Sequence, residues 1–524
     1  MRITNKLAER VLTVLTKTQK ALSSVTILLL VSRLLGFIRE MVIAAYFGAT
    51  WQTDAFNMAI NIVILSTAII SVGVATVVIP VYNKKTETHS KETADLFVSN
   101  ILWIFSFIYV AISVAGIIFA PYLVRVFALN FNAETAALTT LMVRVMLAVA
   151  ALQNVVNFLS SISRANNRFT MPSLIGFPVS IITIGSVVFL SERMGIHALV
   201  FAFIAYTTIQ AAMLSVSLRK VFRLKLFISF TNGDLKDVVL LSLPIYLSIA
   251  VAEINMVVDR MLASGLPEGS ITALNFALRV RGLPDALIIA PLVTVVFPLL
   301  SQHAARNDVK LVKSLTIRSL SVVFLTLIPV AAISMFYSTE IVQIVFERGA
   351  FTAERTQLTA GIFFYLIASV VFIGAYTMLA NAFYSVQDTK TPQISAVVFV
   401  MCNIALNIIL VRHMQAAGLA LATTISCIIY FILLLVLYRR KFGAFGGLKL
   451  AKNTCKCLFA TVCMLPIFHT AEILREQLPL FVFFGTASLI SLGVYAVILI
   501  ILKEEMILEG FAKVKNIVLN TPLG

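Results

Sequence analysis

Charged residues are scarce in this chain of 524 residues, since Asp, Glu, Lys and Arg together make up 12% of it. A globular protein carries about twice that share. Hydrophobic residues make up 60%, against roughly 45–50% in a globular protein, and the mean hydropathy is +0.98. One water-facing fold could not bury so much apolar surface. The composition therefore excludes a string of soluble domains and predicts an all-α polytopic membrane protein.

The residues that build metal centres and nucleophilic sites are also few. The five cysteines, all in the last quarter of the chain, have no zinc-ligand or redox spacing, and the five histidines do not cluster. The phosphate-binding pattern G-x4-G-K-[ST] is absent. His303 and Asp308 have the spacing of an acyltransferase pair, but they lie in a basic stretch without an accompanying nucleophile. The sequence thus predicts a protein that is not an enzyme.

Acidic residues are outnumbered by basic ones, 24 against 41. Windows of roughly 20 apolar residues, the length that crosses a bilayer, predict about fourteen spans: 23–46, 55–80, 96–120, 136–160, 172–191, 196–217, 238–263, 272–300, 317–338, 356–384, 393–411, 417–437, 457–471 and 479–502. The side that holds both termini then collects 28 Lys and Arg, the opposite side six, and the spans seven. The positive-inside rule places both termini in the cytoplasm.

The chain repeats itself at an offset of 218 to 220 residues. Thr76–Pro80 recurs as Thr294–Pro298, and Pro172 matches Pro392. Spans one to six and seven to twelve thus form two similar lobes of equal orientation, a design that has its substrate site between the halves. We predict a basic N-terminal segment (1–22), two six-helix lobes (23–220 and 238–440), two additional transmembrane helices (457–502) and a cytoplasmic tail (503–524).

The first span has one polar face. Ser32, Arg33, Arg39 and Glu40 fall within an arc of about 120° on a helix, and apolar side chains cover the rest. Two arginines against one carboxylate give this face a net positive charge, which suits an anionic headgroup because guanidinium groups bind phosphate in bidentate fashion. The alternative is a set of satisfied contacts between helices.

The eighth span carries two arginines with different surroundings. Arg281 and Asp285 have the i, i+4 spacing of a local ion pair, and we favour that structural interpretation. Arg279 has no acidic residue three or four positions away. It is therefore the better candidate for a substrate ligand.

A second polar set is distributed over the seventh, eleventh and twelfth spans: Asp259, Asn403, Asn407 and Thr423. A carboxylate with amide and hydroxyl oxygens suits a hard cation such as sodium. The alternative, Asp259 paired with Arg260 and the two asparagines hydrogen-bonded between helices, explains the same residues more simply. Both interpretations stay open at this point.

Several strings resemble the MurJ/MviN lipid II flippases of the multidrug/oligosaccharidyl-lipid/polysaccharide exporter superfamily. They include Ser32–Glu40, Thr53–Phe56, Ala273–Arg279 and Phe383–Pro392. The resemblance covers about 30 to 500. It implies a monomeric transporter of a bacterial plasma membrane that exports lipid-linked peptidoglycan precursor to the outer leaflet by alternating access.

The resemblance also implies roles for single residues. The diphosphate-sugar headgroup would be bound in a central cavity by residues at family positions, with Glu40 in place of the usual Asp: Ser32, Arg33, Arg39, Glu40, Asp54 and Arg279. Some members have a sodium site that joins the seventh, eleventh and twelfth spans, which adds weight to the cation interpretation of Asp259, Asn403, Asn407 and Thr423.

One departure from the family concerns the second span. Family members commonly carry charges there, whereas residues 60–79 contain none. This departure favours one alternative, a flippase for another polyprenyl-linked oligosaccharide. Two more alternatives remain: a cation-coupled multidrug antiporter of the same superfamily, and an integral-membrane transferase.

Overall fold

The computed structural model describes residues 28–166, 168–219, 221–222, 224–229, 253–472, 475 and 477–508, with backbone alone for 67–78 and 471–472. The predicted N-terminal segment, residues 238–252 of the predicted seventh span and residues 509–524 of the predicted tail lie outside this part of the chain. The side chains of most of the charge-free stretch in the second span are outside it too.

The described residues of the first half of the chain form nine helices. They are α1 (28–47), α2 (Trp51–Thr88), α3 (Lys91–Ile118), α4 (Ala120–Phe127), α5 (Ala133–Ala165), α6 (Thr170–Leu174), α7 (Gly176–Met194), α8 (His197–Leu218) and α9 (253–263). Side chains that cap free backbone N–H groups fix several of their starts. Thr50 and Thr53 form a capping box at α2, and Asn132 accepts from the Thr135 N–H at α5.

The second half continues the pattern. It contains α10 (Ser270–Pro284), a π-helical turn (Asp285–Ile289), α11 (Ala290–Ala305), α12 (Val309–Phe336), α13 (Ser338–Phe346), α14 (Ala353–Ile367), α15 (Ser369–Ser385), α16 (Lys390–Phe442), α17 (Gly447–Val462), α18 (Leu465–Glu472) and α19 (Leu480–Ile501). Asp308 caps α12 by accepting from the Leu311 N–H at 3.1 Å. The acid of the His303–Asp308 pair thus has a structural role at a helix start.

The structure confirms the predicted fold class. The residues that it describes contain helices and no strand, and ten helical segments are long and apolar enough to cross a membrane. These ten segments contain eleven of the fourteen predicted spans, because one segment, Lys390–Phe442, contains two spans. The count of fourteen stays a prediction, since α1, α2 and α9 are not among the ten.

That double segment is α16. A straight helix of 53 residues would separate Asn403 from Ser426 by about 34 Å, yet their side chains lie 3.5 Å apart. The chain reverses at Gln415, whose φ of 52° is non-helical. Gly418 lets the two arms meet, because a Cβ there would lie 2.4 Å from the Leu410 carbonyl oxygen. The arms match the predicted eleventh and twelfth spans.

The chain divides into two compact units. Unit 1 comprises Met1–Thr272 with Arg348–Phe351, and unit 2 comprises Ala273–Glu347 with Thr352–Gly524. An apolar core in unit 1 joins side chains of α2, α3, α5 and α8, among them Ile101, Val156 and Leu214. In unit 2 the C-terminal helices α18 and α19 pack on the end of α12 through Tyr337, Phe468 and other apolar side chains. The boundary at 272 differs from the lobe boundary that the repeat suggests, and the predicted lobes stay a prediction.

Candidate functional site

The polar face of α1 lies in unit 1. Arg39 Nη2 and Glu40 Oε1 are 2.6 Å apart, with 18% and 13% of their side chains exposed. Arg39 also interacts electrostatically with Tyr206 on α8, whereas Arg33 is exposed. Glu40 thus offsets its direct neighbour Arg39, and Arg33 supplies the more accessible guanidinium of this face.

Ser32, on the same face, marks a close approach between two helices. Gly176 begins α7, and a Cβ at that position would lie 2.0 Å from the Ser32 hydroxyl oxygen. Only glycine leaves room for this contact without a shift of the serine. The absence of a side chain at Gly176 therefore lets α7 approach α1 closely at Ser32.

Asp54 is buried, with 5% of its surface exposed, and caps the start of α10. Its carboxylate accepts hydrogen bonds from the Gly269 N–H (2.7 Å), the Thr272 N–H (2.8 Å) and the Thr272 hydroxyl (2.7 Å). The N-terminus of a helix favours a negative charge because its free N–H groups and its dipole both attract one. Asp54 thus stabilises the helix that carries Arg279 two turns further on.

A polar pocket of about 160 Å³ adjoins this cap. It is bordered by the start of α2, by the loop before α5 and by the residues that follow α9. Within the border, Glu268 accepts from the Trp51 backbone N–H at 3.0 Å, and Asn132 caps α5. The carboxylate and amide groups here therefore hold loops and helix starts together.

The arginines of α10 differ in their exposure. Arg279 is exposed although it lies in an apolar helix. Arg281 Nη2 lies 3.6 Å from Asp285 Oδ2, which confirms the local ion pair. Two residues along an α-helix amount to a rotation of 200°, so Arg279 and Arg281 occupy nearly opposite faces. Arg279 keeps its place as the ligand candidate.

The candidate cation residues of unit 2 are Asn403, Asn407 and Thr423. Both asparagines are fully buried; the Asn407 amide donates to Asn403 Oδ1 at 2.9 Å, and the Thr423 hydroxyl donates to the Leu419 carbonyl at 3.0 Å. Asp259 belongs to α9 in unit 1. Among the described residues, no group of three His, Cys, Asp or Glu side chains is placed to hold a metal ion. The oxygen donors of Asp259, Asn403, Asn407 and Thr423 suit sodium chemically. The sodium site stays a prediction.

Sequence reasoning missed the partners of Asp54 and of Asn403. A signal for the first existed, because Thr272 occupies the position equivalent to Asp54 at the offset of 218 that defines the repeat. Ser426, which pairs with Asn403, carries no such signal. Its contact depends on the reversal of α16.

Known proteins show what this arrangement resembles. The family model described as "Lipid II flippase MurJ" matches residues 43–487. A probable lipid II flippase MurJ from Buchnera aphidicola subsp. Acyrthosiphon pisum is 27% identical over 433 residues, which cover 80% of this chain and 84% of that protein.

Solved structures agree with the sequence comparisons. The lipid II flippase MurJ in an inward closed conformation is 26% identical, with a TM-score of 0.80 over 92% of this chain and 99% of that one. A multidrug resistance MATE family transporter of the MOP superfamily, in an inward-facing conformation, shares the fold alone: it is 15% identical, with a TM-score of 0.67 over 80% of this chain and 98% of that one. Because the family model matches most of its length, the chain belongs to the MurJ family of lipid II flippases, which are multi-pass inner-membrane transporters and not enzymes.

Proposed function

We propose that this chain moves lipid II, a polyprenyl-linked peptidoglycan precursor, from the inner to the outer leaflet of a bacterial plasma membrane. The observation that carries the proposal is the match to the MurJ family over residues 43–487. The fold shared with a lipid II flippase over 92% of the chain supports it.

The headgroup chemistry fits the arginines of α1 and α10. A diphosphate cannot cross hydrocarbon unaided, and guanidinium groups are its strongest protein ligands because they donate two parallel hydrogen bonds. Arg33 and Arg279 are exposed on apolar helices, and Arg39 is part-buried beside Glu40. These three arginines bind the diphosphate, while Asp54 holds the start of α10 and Ser32 lies where α7 approaches α1 closely.

Export proceeds by alternating access in a monomer with both termini in the cytoplasm. The arginines bind the headgroup from the cytoplasmic leaflet, and a rocking of the lobes exposes it outside. An inside-negative potential favours outward movement of an anion by about 2.3 kcal/mol per charge per 100 mV. Asp259, Asn403, Asn407 and Thr423 would hold sodium, which would supply a fixed positive charge there.

Complementation of a strain depleted of its own lipid II flippase tests the proposal. We expect wild-type protein to restore growth, and Arg33→Ala, Arg39→Ala and Arg279→Ala each to fail at equal protein level, since each removes one diphosphate ligand. Arg193→Ala is the matched control, because Arg193 is exposed at the end of α7 and should be dispensable. Full rescue by all three cavity variants would overturn the role of the arginines.

A second candidate function is export of another polyprenyl-linked oligosaccharide. The observation that favours it is the absence of charge from residues 60–79, where the family commonly carries several. If wild-type protein reaches the membrane in the depleted strain but does not restore growth, this alternative replaces lipid II. A cation-coupled antiporter has less support, because a basic set of side chains repels cationic drugs.

A further inference from the structure

One arginine within a span has no part in headgroup binding as proposed. Arg144 lies in α5, inside the predicted fourth span and about 16 Å from the first residue of the helix. Its side chain is exposed, and so are those of Leu141 and Val145 on the same helix face. Ionisable side chains within a membrane almost always face the protein interior or a water-filled cavity. An arginine among exposed apolar side chains is therefore a candidate to bind a ligand from the bilayer itself.

The guanidinium group of Arg144 reaches the end of α3. Its Nε donates to the Ile117 carbonyl oxygen at 3.3 Å, at a helix end where carbonyl groups lack partners within the helix and favour a cation. Arginine has five N–H donors in a planar fork. Within the described part of the chain, no other hydrogen bond or ion pair engages this guanidinium. The four N–H groups on its two terminal nitrogens are thus available to a ligand.

The surface around this guanidinium is apolar. Ile118 and Phe119, which follow the carbonyl that Arg144 binds, are 63% and 60% exposed. The next helix, α4, presents Tyr122 and Arg125 on one exposed face. A short helix with tyrosine and arginine on its outer face is typical of the boundary between hydrocarbon and lipid headgroups. The end of α3 therefore lies at this boundary.

The direction of the side chain brings the guanidinium to the same depth. Side chains in a helix point toward its N-terminus, and α5 begins just after the loop that follows α4. The backbone of Arg144 is thus within the hydrocarbon, while its guanidinium is level with the end of α3. Under the proposed orientation of the chain, this end belongs to the outer leaflet.

The charge of the surroundings selects the kind of lipid. Arg125 and Arg144 are both cationic, and the described residues of α4 and of the adjoining halves of α3 and α5 include one carboxylate, Glu134. Glu134 is about 15 Å from Arg144 along α5. A lipid with a net negative charge is therefore favoured over a zwitterionic one, because the arginines repel the ammonium group of the latter.

The second half of the chain indicates that the fold does not need this cation. At the offset of 220 residues, Arg144 corresponds to Phe364, which is exposed as well. Ile117 corresponds to Tyr337, which packs against Phe468 of α18 at the end of α12. In unit 2 the C-terminal helices thus cover a helix end whose counterpart in unit 1 presents exposed apolar side chains and a guanidinium group.

We propose that Arg144 binds the phosphate of an anionic phospholipid at the end of α3, with the acyl chains of the lipid on Ile118 and Phe119. Two N–H groups of the guanidinium donate in parallel to two phosphate oxygens, while Nε keeps its bond to α3. The lipid then holds the ends of α3 and α5 together. Its binding does not depend on the proposed substrate, but its assignment to the outer leaflet rests on the proposed orientation.

Fluorescence quenching by brominated lipid tests this site locally. Phe119→Trp is made in the full chain together with Trp51→Phe and Trp103→Phe, which remove both native tryptophans. In vesicles, brominated phosphatidylglycerol should quench this fluorescence several-fold better than brominated phosphatidylcholine at equal mole fraction, and Arg144→Gln should remove the preference. Arg193→Gln is the control, because Arg193 is exposed at the end of α7 and its loss should change nothing. An undiminished preference in Arg144→Gln would overturn the proposal.

Two further variants separate lipid binding from folding. Arg144→Phe introduces the side chain found at the equivalent position of the repeat, so the fold should accept it and the preference should be lost. Arg144→Lys keeps the charge but loses the bidentate contact, and should retain part of the preference. If Arg144→Phe unfolds at the temperature of wild type and keeps the full preference, the arginine only caps α3 and the proposal fails.

Competition with unbrominated lipids identifies the occupant. Phosphatidylglycerol should relieve the quenching, whereas lipid II at the same mole fraction should relieve it less. If lipid II displaces the brominated lipid and phosphatidylglycerol does not, the exported lipid occupies the site and the assignment to a phospholipid is wrong. Quenching requires no transport, so a failure of wild type to complement a depleted strain would refute the proposed substrate and leave the lipid site standing.

Discussion

At the scale of single residues, the buried carboxylate of Asp54 has a structural role at a position to which the family resemblance assigns headgroup binding. The resemblance implies contact with the headgroup, yet its oxygens already accept three hydrogen bonds from Gly269 and Thr272. A carboxylate so occupied has little capacity left for a ligand. We therefore expect Asp54 to influence transport through the position of α10.

We expect Asp54→Ala to lower the free energy of unfolding by about 1–3 kcal/mol, because it removes a helix cap and leaves buried N–H groups without an acceptor. Thermal unfolding of the purified protein in detergent measures this. Glu134→Ala is the control: Glu134 also lies in the first turn of a helix, α5, but is exposed, and its loss should change stability by less than 0.5 kcal/mol. Equal stability of Asp54→Ala and Glu134→Ala would contradict the capping role.

The sequence predicted contacts within one helix better than contacts between helices. Arg281 and Asp285 pair as their i, i+4 spacing indicates, because that contact needs only helix geometry. The Ser32 contact with Gly176 needs two helices separated by more than a hundred residues to pack side by side. Periodicity within one segment carries no information about such packing.

At the scale of elements, Asp388 joins both ends of the reversed helix α16. Its carboxylate accepts from the Thr391 N–H at 3.0 Å and the Thr391 hydroxyl at 2.8 Å, at the start of the helix, and from the Lys441 ammonium at its end. The string Phe383–Pro392 was identified by family resemblance alone. The structure gives its acidic residue a physical role, which is to close a hairpin of two helices.

The contacts of Asp388 predict that the stability of the fold depends on pH. Partial burial raises the pKa of Asp388, but the Lys441 ammonium and the two Thr391 donors outweigh it and lower the pKa to about 2. A carboxyl group whose pKa is lowered by folding stabilises the fold at pH values above its pKa in the unfolded chain, which is about 3.9. That contribution is lost as the pH falls toward 2. Wild type should thus exceed Asp388→Asn in stability by about 1–2 kcal/mol at pH 7.

Thermal unfolding of both proteins between pH 7 and pH 2 measures that difference. The gap should be constant down to about pH 5 and should close near pH 2. Glu505→Gln is the control, because Glu505 is paired with Lys449 at the exposed surface and exposed ion pairs contribute little. A gap that widens on acidification would contradict the assignment.

The elements themselves were predicted well because a membrane imposes one strong rule. Spanning segments must satisfy their backbone groups internally, so apolar length alone marks them. Helices such as α8 and α19 (His197–Leu218 and Leu480–Ile501) agree with the predicted spans within two residues. The π-helical turn at Asp285 gave no signal, since it depends on how α11 and α15 pack around it.

At the scale of the whole molecule, equivalent positions of the sequence repeat can have the same structural role although their side chains differ. Arg168 and Asp388 are equivalent at the offset of 220, and each lies just before one of the matched prolines. Arg168 donates to the Ser217 carbonyl near the end of α8, and Asp388 accepts from Lys441 near the end of α16. Both side chains tie a loop to a helix end, with opposite charges. The two equivalent positions thus share a role, and not the identity of the side chain.

The distribution of basic residues predicts how the chain is oriented in the membrane. From the 28 basic residues on the side of the termini, against six opposite, we expect the loop between α2 and α3 to lie in the cytoplasm and the loop before α5 to lie outside. His89 and Glu134 are exposed in or beside these loops. With the five native cysteines replaced, a membrane-impermeant maleimide should label Glu134→Cys in intact spheroplasts and His89→Cys after lysis alone. The reversed pattern would place both termini outside and would turn the proposed direction of export around, because the arginines would then face the headgroup from the opposite leaflet.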